Sequence, residues 1–179
     1  DRALFVCGQG RLVNGDGVLL AASRYLKQRG ELRGGVVVGT VMTNLGLEEA
    51  LQKEGIGLLR TPVGDKYVLE EMLRSHANLG GEQSGHIIFR DLAKTGDGLL
   101  TAIEMLRIIS ESGQSLDHLV EGLREFPQTI RNIRVREKIP LEQLPQVTQQ
   151  IQTSEQSLGA KGRIVVRYSG TEPLVRVMV

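Results

Sequence analysis

The sequence predicts an α/β fold, in which a three-layer α/β/α domain is followed by a smaller α+β domain. Up to about residue 113, short apolar strand patterns alternate with stretches of helical spacing, which favours a sheet covered by helices on both faces. Beyond that point the order becomes helix, strand, helix and two strands, which is typical of an α+β domain. We therefore predict that residues 14–118 form the first domain and residues 119–179 the second.

Each element of the first domain has its own local signal. Residues 3–6 and 11–13 are short extended pieces on either side of a Gly-Gln-Gly turn. Helical spacing then begins at Asp16 and ends before Gly30, which suits a helix C-cap. Asp97 is a predicted N-cap of a later helix. We expect strands at residues 36–38, 56–59 and 87–89, and further helices at residues 47–51, 67–73 and 99–109.

The second domain has weaker but still readable signals. Helical spacing at residues 116–123 precedes a strand pattern at residues 130–135. A glutamine-rich helical stretch begins at residue 141, and two strands follow at residues 164–168 and 174–179. The last two strands are joined by a short loop, which makes them a predicted hairpin.

Composition excludes several function classes. The 179 residues carry a net charge of only +1 and include no Trp, so neither a nucleic-acid partner nor an anionic membrane surface is indicated. No stretch has the length and apolarity of a membrane span, and the first residues lack a signal-peptide pattern. Cys7 is the single cysteine and is expected to pack as a small apolar residue. These features predict a cytoplasmic protein.

Residues 80–86, Gly-Gly-Glu-Gln-Ser-Gly-His, form a candidate sugar-binding loop. The Glu82 carboxylate can accept hydrogen bonds from a vicinal diol, and Ser84 and His86 can add further contacts. Glycines at positions 81 and 85 let the backbone approach a ligand closely. The alternative is that Glu82 is a solvated surface charge and His86 an ordinary residue at a strand edge. Composition alone leaves both interpretations open.

Residues 167–173, Arg-Tyr-Ser-Gly-Thr-Glu-Pro, form a candidate phosphate-binding loop. Ser169, Gly170 and Thr171 could present successive backbone N–H groups and two hydroxyls to an anion. Arg167 and Arg176 flank this turn on the predicted hairpin, where guanidinium groups can bind phosphate in bidentate fashion. The alternative is an ordinary hairpin turn with arginines on edge strands.

Both loops resemble motifs of the α-D-phosphohexomutase superfamily, the first its sugar-binding loop and the second its C-terminal phosphate-binding loop. The initial Asp1-Arg2 resembles the last residues of that family's Asp-Gly-Asp-Gly-Asp-Arg metal loop. Further stretches similar to the family lie at residues 39–44, 61–68 and 97–102, so the resemblance covers essentially the whole chain. Gln83 and the Gly-Asp-Lys-Tyr-Val run at residues 64–68 are most similar to the branch that acts on glucosamine phosphates.

The resemblance implies a four-domain enzyme that interconverts glucosamine 6-phosphate and glucosamine 1-phosphate, on the way to UDP-N-acetylglucosamine and the cell wall. A phosphorylated serine of the first domain would exchange its phosphoryl group with the sugar through a bisphosphorylated intermediate, assisted by Mg²⁺. Residues 1–13 would then be the tail of the preceding, metal-loop domain. The resemblance assigns sugar binding to Glu82, Ser84, His86, Gly64, Asp65 and Lys66, and phosphate binding to Arg167, Ser169, Gly170, Thr171 and Arg176.

The chain also departs from the family pattern. It contains no Thr-Ala-Ser-His-Asn-Pro serine loop, and of the metal loop only Asp1 is present, which could act as a ligand only together with the upstream aspartates. It also lacks the helix that usually closes the fourth domain. We therefore expect residues 1–179 alone to be inactive and to hold no Mg²⁺, with the N-terminal domains as their missing partners. The sequence leaves open a related mutase for mannose or glucose phosphates, and a non-catalytic module that binds phosphosugars.

Overall fold

A computed structural model describes residues 1–159 and 162–179, and it divides the chain into two compact units, Asp1–Phe126 and Pro127–Val179. The first unit contains a two-stranded hairpin, β1 (Phe5–Val6) and β2 (Leu12–Val13), which precedes the main α/β layers. The layers comprise α1 (Gly15–Gln28), β3 (Val36–Thr40), α2 (Leu45–Lys53), β4 (Gly57–Thr61), α3 (Asp65–Arg74), β5 (Leu79–Gly81), β6 (Ile87–Phe89), α4 (Gly98–Ser112) and α5 (Leu116–Leu119). The predicted α/β class is confirmed.

The central sheet has the strand order β4-β3-β5-β6, with β3 parallel to β4 and β5, and β6 antiparallel to β5. Neighbouring residues of β3 point to opposite faces, as a strand requires. Val37 packs into the core formed with α1, α2, α4 and α5, whereas Val38 packs with Val68 and Met72 of α3. Helices therefore cover both faces of the sheet, as predicted.

Local caps explain where the long helices begin and end. The Asn14 side chain accepts hydrogen bonds from the first backbone N–H groups of α1, and Asp97 accepts one from Leu100 at the start of α4. Gly113 ends α4 in a left-handed conformation, which glycine adopts without strain. The predicted role of Asp97 is confirmed.

This unit contains one strand that was not predicted, and its bounds differ from those of the predicted domain. Strand β5 was not predicted, because Gly80 and Gly81 give it no β-branched or alternating pattern. The unit also extends to Phe126 rather than ending after residue 118. Leu119 belongs to the core, and Asn44 bonds both to the Phe126 N–H and to its carbonyl, each at 2.9 Å. Residues 1–13 lie in the same compact unit, and their assignment to the tail of a preceding domain stays a prediction.

The second unit is a three-stranded antiparallel sheet in the order β7-β9-β8, accompanied by one long helix. Its elements are β7 (Ile130–Arg134), α6 (Pro145–Leu158), β8 (Val165–Tyr168) and β9 (Leu174–Met178). The predicted hairpin of β8 and β9 is confirmed, and β9 is the central strand. The helix predicted at residues 116–123 is shorter and lies in the first unit as α5.

An ionic network joins α1 to α4. The buried Tyr25 donates its hydroxyl hydrogen to Glu111, and Arg107 donates to the Tyr25 oxygen at 3.0 Å. Burial raises the pKa of Tyr25, whereas the hydrogen bond from Tyr25 and the charge of Arg107 lower the pKa of Glu111. A group with a lowered pKa in the folded state stabilises the fold above its unfolded pKa, and this contribution disappears as the pH falls through the folded value.

This network predicts a pH-dependent stability difference for Glu111→Gln. At pH 7 the variant should unfold at a lower temperature than the wild type, because it lacks the ionised Glu111 carboxylate that the folded state stabilises. The difference should close as the pH falls below the ordinary glutamate value of about 4.3. Thermal unfolding followed by circular dichroism at several pH values measures it. Glu49→Gln, at an exposed position of α2, is the control, and a difference for Glu111→Gln that persists unchanged into acid would contradict the assignment.

Candidate functional site

The predicted sugar-binding residues lie at one edge of the central sheet. The parallel strands β3, β4 and β5 end at Thr40, Thr61 and Gly81. The loops that follow β4 and β5 therefore emerge at the same carboxyl edge, on either side of β3, and open α/β sheets bind their ligands at this edge. Gly64 and Asp65 follow β4, and residues 82–86 connect β5 to β6.

Glu82 is the centre of this cluster and is half-buried. Its Oε1 atom accepts the Gly64 N–H at 3.0 Å, and its Oε2 atom accepts the Ser84 hydroxyl at 3.3 Å. Gly64 has φ 137° and ψ 132°, a conformation that is essentially restricted to glycine. Because each carboxylate oxygen has about two acceptor positions, one on each atom remains for a ligand hydroxyl. The structure thus brings Gly64, Glu82 and Ser84 together.

His86 makes its contacts with residues of the protein itself. Its Nδ1 atom lies 3.0 Å from the Asp1 carbonyl oxygen, which can only accept, so this nitrogen carries the proton. The other ring nitrogen, Nε2, is buried without a hydrogen-bond partner in the described part of the chain, and its distance to the Asp65 carboxylate is 3.7 Å. Gly96 packs so closely on the ring that a Cβ there would lie 2.1 Å from Nε2. His86 therefore tethers Asp1 to the loop and does not offer an open donor to a ligand.

Asp65 and Lys66 are placed differently although they are neighbours. The Asp65 carboxylate faces His86 and also accepts the Lys66 backbone N–H at 2.8 Å. The Lys66 side chain is exposed and lies 3.8 Å from Glu70 on the surface of α3. Asp65 therefore joins the cluster, whereas the Lys66 ammonium group does not.

The loop glycines lie in close contact with other backbone atoms of the protein, and a close approach to a ligand stays a prediction. A Cβ on Gly81 would lie 2.7 Å from the His86 carbonyl oxygen, and one on Gly85 would lie 2.3 Å from the Ala3 carbonyl oxygen. The Ala3 N–H also donates to the Gly85 carbonyl at 2.9 Å. Gly85 therefore allows Ala3 to lie directly against the candidate sugar-binding loop, whereas Gly81 lies close to the His86 carbonyl oxygen within that loop.

Gly15 holds the same loop from the other side. Its N–H donates to the Gln83 carbonyl at 2.9 Å, and a Cβ at this position would lie only 1.9 Å from the Glu82 carbonyl oxygen. Backbone atoms cannot yield as a flexible side chain can, so a methyl group here must displace the loop.

We therefore expect Gly15→Ala to lower the free energy of unfolding by about 1–3 kcal/mol, the usual cost of overpacking. Urea denaturation of the purified chain measures this value. Gly170→Ala is the control, since a methyl group there meets no atom within 4 Å. Equal stability of the two variants would show that the loop yields to the methyl group without cost.

Asp1 fits a metal site only in part. Its Oδ1 atom accepts the Gly98 N–H at 3.2 Å, at the beginning of α4. Within residues 1–159 and 162–179, no three His, Cys, Asp or Glu side chains lie close enough together to hold a metal ion. Asp1 would therefore hold Mg²⁺ only together with further oxygen ligands, because such sites need several converging ones.

The predicted phosphate loop connects β8 to β9. Arg167 and Arg176 are directly opposite each other in the register of these strands, and Asn132 of β7 faces Arg176 on its other side. Two like charges at opposed positions are unfavourable unless an anion lies close to both. A phosphate group near the two guanidinium groups would satisfy this requirement.

The backbone of the loop provides fewer free donors than predicted. The Ser169 N–H donates to the Leu174 carbonyl at 2.8 Å, so it is not part of an anion nest. Ser169 is buried, and its hydroxyl oxygen accepts the Glu172 N–H at 3.3 Å. Gly170 and Thr171 are exposed at the tip of the loop. Of the three predicted N–H groups, those of Gly170 and Thr171 therefore remain candidates.

Two charged residues at this loop were given no role by the sequence analysis, Lys138 and Glu172. Lys138 donates to the Ser169 carbonyl at 2.6 Å, which adds a third cation beside the two arginines. It follows β7 in an irregular segment, where no periodic pattern marks it. Glu172 pairs with Arg176 at 2.9 Å. This carboxylate orients the Arg176 guanidinium group when no other anion is bound.

Two cavities of about 530 Å³ and 580 Å³ lie elsewhere on the first unit. One is lined mainly by residues of α1 and of the α5 region, and the other by residues near Asn78, Phe89 and Arg107. Neither contains a residue of the sugar loop. The cluster around Glu82 lies instead at the carboxyl edge of the sheet.

Among the described residues, no helix is long and apolar enough to span a membrane.

Comparison with known proteins gives consistent results for both units. Residues 14–126 match the family described as "Phosphoglucomutase/phosphomannomutase, alpha/beta/alpha domain III", and residues 131–179 match its "C-terminal domain". The chain is 57% identical to phosphoglucosamine mutase of Koribacter versatilis and 56% identical to that of Solibacter usitatus, with all of the chain covered. It spans 39% and 40% of the length of these two relatives.

Solved structures show the same fold at lower identity. N-acetylphosphoglucosamine mutase of Aspergillus fumigatus, in complex with GlcNAc-6P and magnesium, matches with a TM-score of 0.78 at 22% identity. The match covers 98% of this chain and 45% of that one. A phosphoglucomutase/phosphomannomutase family protein of Burkholderia thailandensis matches with a TM-score of 0.73 at 21% identity. This match covers 99% of the present chain and 39% of the Burkholderia chain.

Proposed function

The chain belongs to the phosphoglucomutase/phosphomannomutase family, and we propose that it is the sugar- and phosphate-binding part of a phosphoglucosamine mutase. The full-length protein would be a cytoplasmic isomerase that interconverts glucosamine 6-phosphate and glucosamine 1-phosphate, for the synthesis of UDP-N-acetylglucosamine. Support for this substrate comes from relatives of that name at 57% and 56% identity over the whole chain.

The observation that carries the proposal is the fixed carboxylate of Glu82. A sugar offers vicinal hydroxyl or amino groups that donate hydrogen bonds, and an ionised carboxylate is the strongest acceptor that a side chain can present. Gly64 and Ser84 hold this carboxylate in one orientation at the carboxyl edge of the sheet. Binding the sugar away from the reacting bond positions the substrate for phosphoryl transfer.

The roles of the neighbouring residues follow from their contacts. Ser84 fixes Glu82 and can also bond to a sugar hydroxyl. His86 and Asp65 position the loop against Asp1 rather than binding the sugar directly. Lys66 is left without a role in the cluster.

The loop between β8 and β9 would bind the substrate through a phosphate group. Arg167 and Arg176 supply paired guanidinium groups, and Lys138 supplies an ammonium group. Gly170 and Thr171 supply N–H groups at the tip, and the buried Ser169 shapes the turn. When phosphate binds, it would replace Glu172 as the partner of Arg176.

The phosphoryl transfer itself requires groups outside residues 1–179. The resemblance implies a phosphorylated serine as the donor, and no such serine loop is present in this chain. The implied Mg²⁺ would need aspartates beyond Asp1. We therefore expect the 179-residue chain to bind ligands without turning them over.

The direct test compares turnover of glucosamine 6-phosphate, mannose 6-phosphate and glucose 6-phosphate by the full-length protein. The proposal expects the highest kcat/KM for glucosamine 6-phosphate and no turnover by the 179-residue chain. A preference for mannose or glucose phosphate would assign the protein to a different branch of the family. Absence of turnover with all three sugars would favour a non-catalytic phosphosugar-binding module.

A further inference from the structure

The cavity of about 580 Å³ lies at the opposite edge of the central sheet from Glu82. Asn78 and Phe89 are part of its lining. Asn78 directly precedes β5, and Phe89 pairs with Leu79, the first residue of that strand. These positions place the cavity at the amino edge of the parallel strands, whereas Glu82 follows the carboxyl end of β5. We call it the amino-edge cavity, and it is separate from the candidate sugar-binding loop.

Part of the lining of the amino-edge cavity is apolar. Leu26 of α1 and Phe89 of β6 are buried members of the core, and Leu92 adds an exposed apolar side chain. Pockets that bind small molecules usually have volumes of about 300–1,000 Å³ and combine apolar walls with a few fixed polar groups. The size and the apolar side chains of this cavity meet the first part of that description.

The polar groups at the cavity are fixed by the Asn78 side chain, which is only 5% exposed. Its Nδ2 atom donates to the Glu31 carbonyl at 3.0 Å and to the Asp91 carboxylate at 2.8 Å. Its Oδ1 atom accepts the Arg33 N–H at 3.0 Å, and the Arg33 guanidinium group pairs with Asp91 at 3.2 Å. These groups satisfy one another, so this part of the cavity is formed before any ligand binds.

Glu104 of α4 also lines the cavity, and it is a charged residue with only 7% of its surface exposed. Arg107 donates to it twice, from Nε at 3.1 Å and from Nη2 at 2.7 Å. Both hydrogen bonds end on the Oε2 atom of Glu104, so its Oε1 atom accepts none from the described residues of the chain. A carboxylate oxygen in such a buried position favours a hydrogen-bond donor.

The charges of the lining favour a cationic donor. Arg33 is paired with Asp91, and Arg107 with Glu104, so neither guanidinium group is left for an anionic ligand. Among the described residues, the lining carries three carboxylates, Glu31, Asp91 and Glu104, and two guanidinium groups, Arg33 and Arg107. An anion would meet this excess of negative charge, whereas an ammonium group would form a charge-assisted hydrogen bond with the free carboxylate oxygen.

We propose that the amino-edge cavity binds a small molecule that combines a protonated amine with an apolar group. The ammonium group donates to the Oε1 atom of Glu104, and the apolar group packs against Leu26 and Phe89. The site lies away from the sugar loop, so the inference does not depend on the proposed function.

The test titrates the 179-residue chain with three probes of similar shape, 2-phenylethylamine, 2-phenylethanol and 3-phenylpropionate, and follows the backbone amides by NMR. The amine is protonated at pH 7, as a lysine side chain is. It should bind at least about tenfold more tightly than the alcohol, because only the amine adds a charge-assisted hydrogen bond, and the carboxylate should bind most weakly. The amide signals of Asn78, Phe89 and Arg107 should shift with the amine, and those of Glu82 and Ser84 should not.

Two results of this titration would overturn the proposal. One is equal affinity for the three probes, or no binding of the amine at about 10 mM. The other is a set of shifted signals that excludes the residues of the cavity.

A pair of variants tests the role of Glu104 itself. Glu104→Gln keeps the shape of the side chain but removes its charge, so affinity for 2-phenylethylamine should fall about tenfold while that for 2-phenylethanol stays the same. Glu111→Gln is the matched control, since Glu111 also accepts a hydrogen bond from Arg107, at 3.4 Å, but is not among the described residues that line the cavity. It should bind the amine as the wild type does.

An equal loss of amine affinity in Glu104→Gln and Glu111→Gln would assign the effect to Arg107 rather than to the carboxylate of the cavity, and would overturn the proposal. The comparison of the three probes needs only the wild type, so it decides the question even if Glu104→Gln fails to fold.

Discussion

Glu82→Ala is expected to reduce the kcat/KM of the full-length protein for glucosamine 6-phosphate by about 100-fold or more, because a small misplacement of substrate has effects of that size. The carboxylate is held by the Gly64 N–H and the Ser84 hydroxyl, which leaves one acceptor position on each oxygen for a ligand. Alanine removes these acceptors, and the fold should stay intact because Glu82 is only half-buried and does not belong to the core.

Two further variants separate the role of charge from that of structure. Glu82→Gln keeps an oxygen that can accept the Gly64 N–H but loses the negative charge, so its activity should also fall while its fold stays intact. Glu49→Ala removes an exposed carboxylate of α2 and should leave turnover unchanged. Steady-state kinetics and circular dichroism of all three variants test this. Wild-type activity in Glu82→Ala would refute the role assigned to the sugar loop.

Arg176→Ala should weaken the binding of inorganic phosphate to the 179-residue chain by about 10- to 100-fold, which corresponds to one or two charge-assisted hydrogen bonds. Arg176 lies on the central strand β9, with Arg167 of β8 opposite it on one side and Asn132 of β7 on the other. Without it, an anion at the loop loses its most central cation.

The controls for Arg176→Ala are on the same sheet. Arg176→Lys keeps the charge but not the bidentate geometry, so its affinity should be intermediate. Arg131→Ala removes a cation from the opposite sheet face, because Arg131 pairs with Val177 rather than with Arg176. Titration calorimetry measures all of these variants. An equal loss of affinity in Arg131→Ala and Arg176→Ala would indicate binding by overall charge rather than at the loop.

Much of the fold was predictable because its elements have strong local signals. The caps Asp97 and Gly113 mark both ends of α4, and β6 has the predicted bounds at Ile87–Phe89. Strand β5 escaped prediction because two of its three residues are glycines, whose strand conformation is imposed by the neighbouring strands β3 and β6. Tertiary pairing decides such a segment, and a single sequence does not display it.

The candidate site was predictable in its residues but not in its contacts. Glu82, Ser84 and Gly64 come together as the carboxyl edge of a parallel sheet requires. The close packing of Gly96 on the His86 ring could not be predicted, since it depends on loops that meet only in the folded chain. The contact of Lys138 with Ser169 could not be predicted either, because the two residues are distant in the sequence and Lys138 lies in a segment without helical or strand periodicity.

The most direct test of the sugar site is a calorimetric titration of the 179-residue chain with glucosamine 6-phosphate and, separately, with inorganic phosphate. If Glu82 binds the sugar, the wild type will bind glucosamine 6-phosphate more tightly than phosphate, and Glu82→Ala will abolish this difference while phosphate binding remains. A preference for the sugar phosphate that persists in Glu82→Ala, or equal affinity for both ligands in the wild type, would contradict the assignment of the sugar site to this loop.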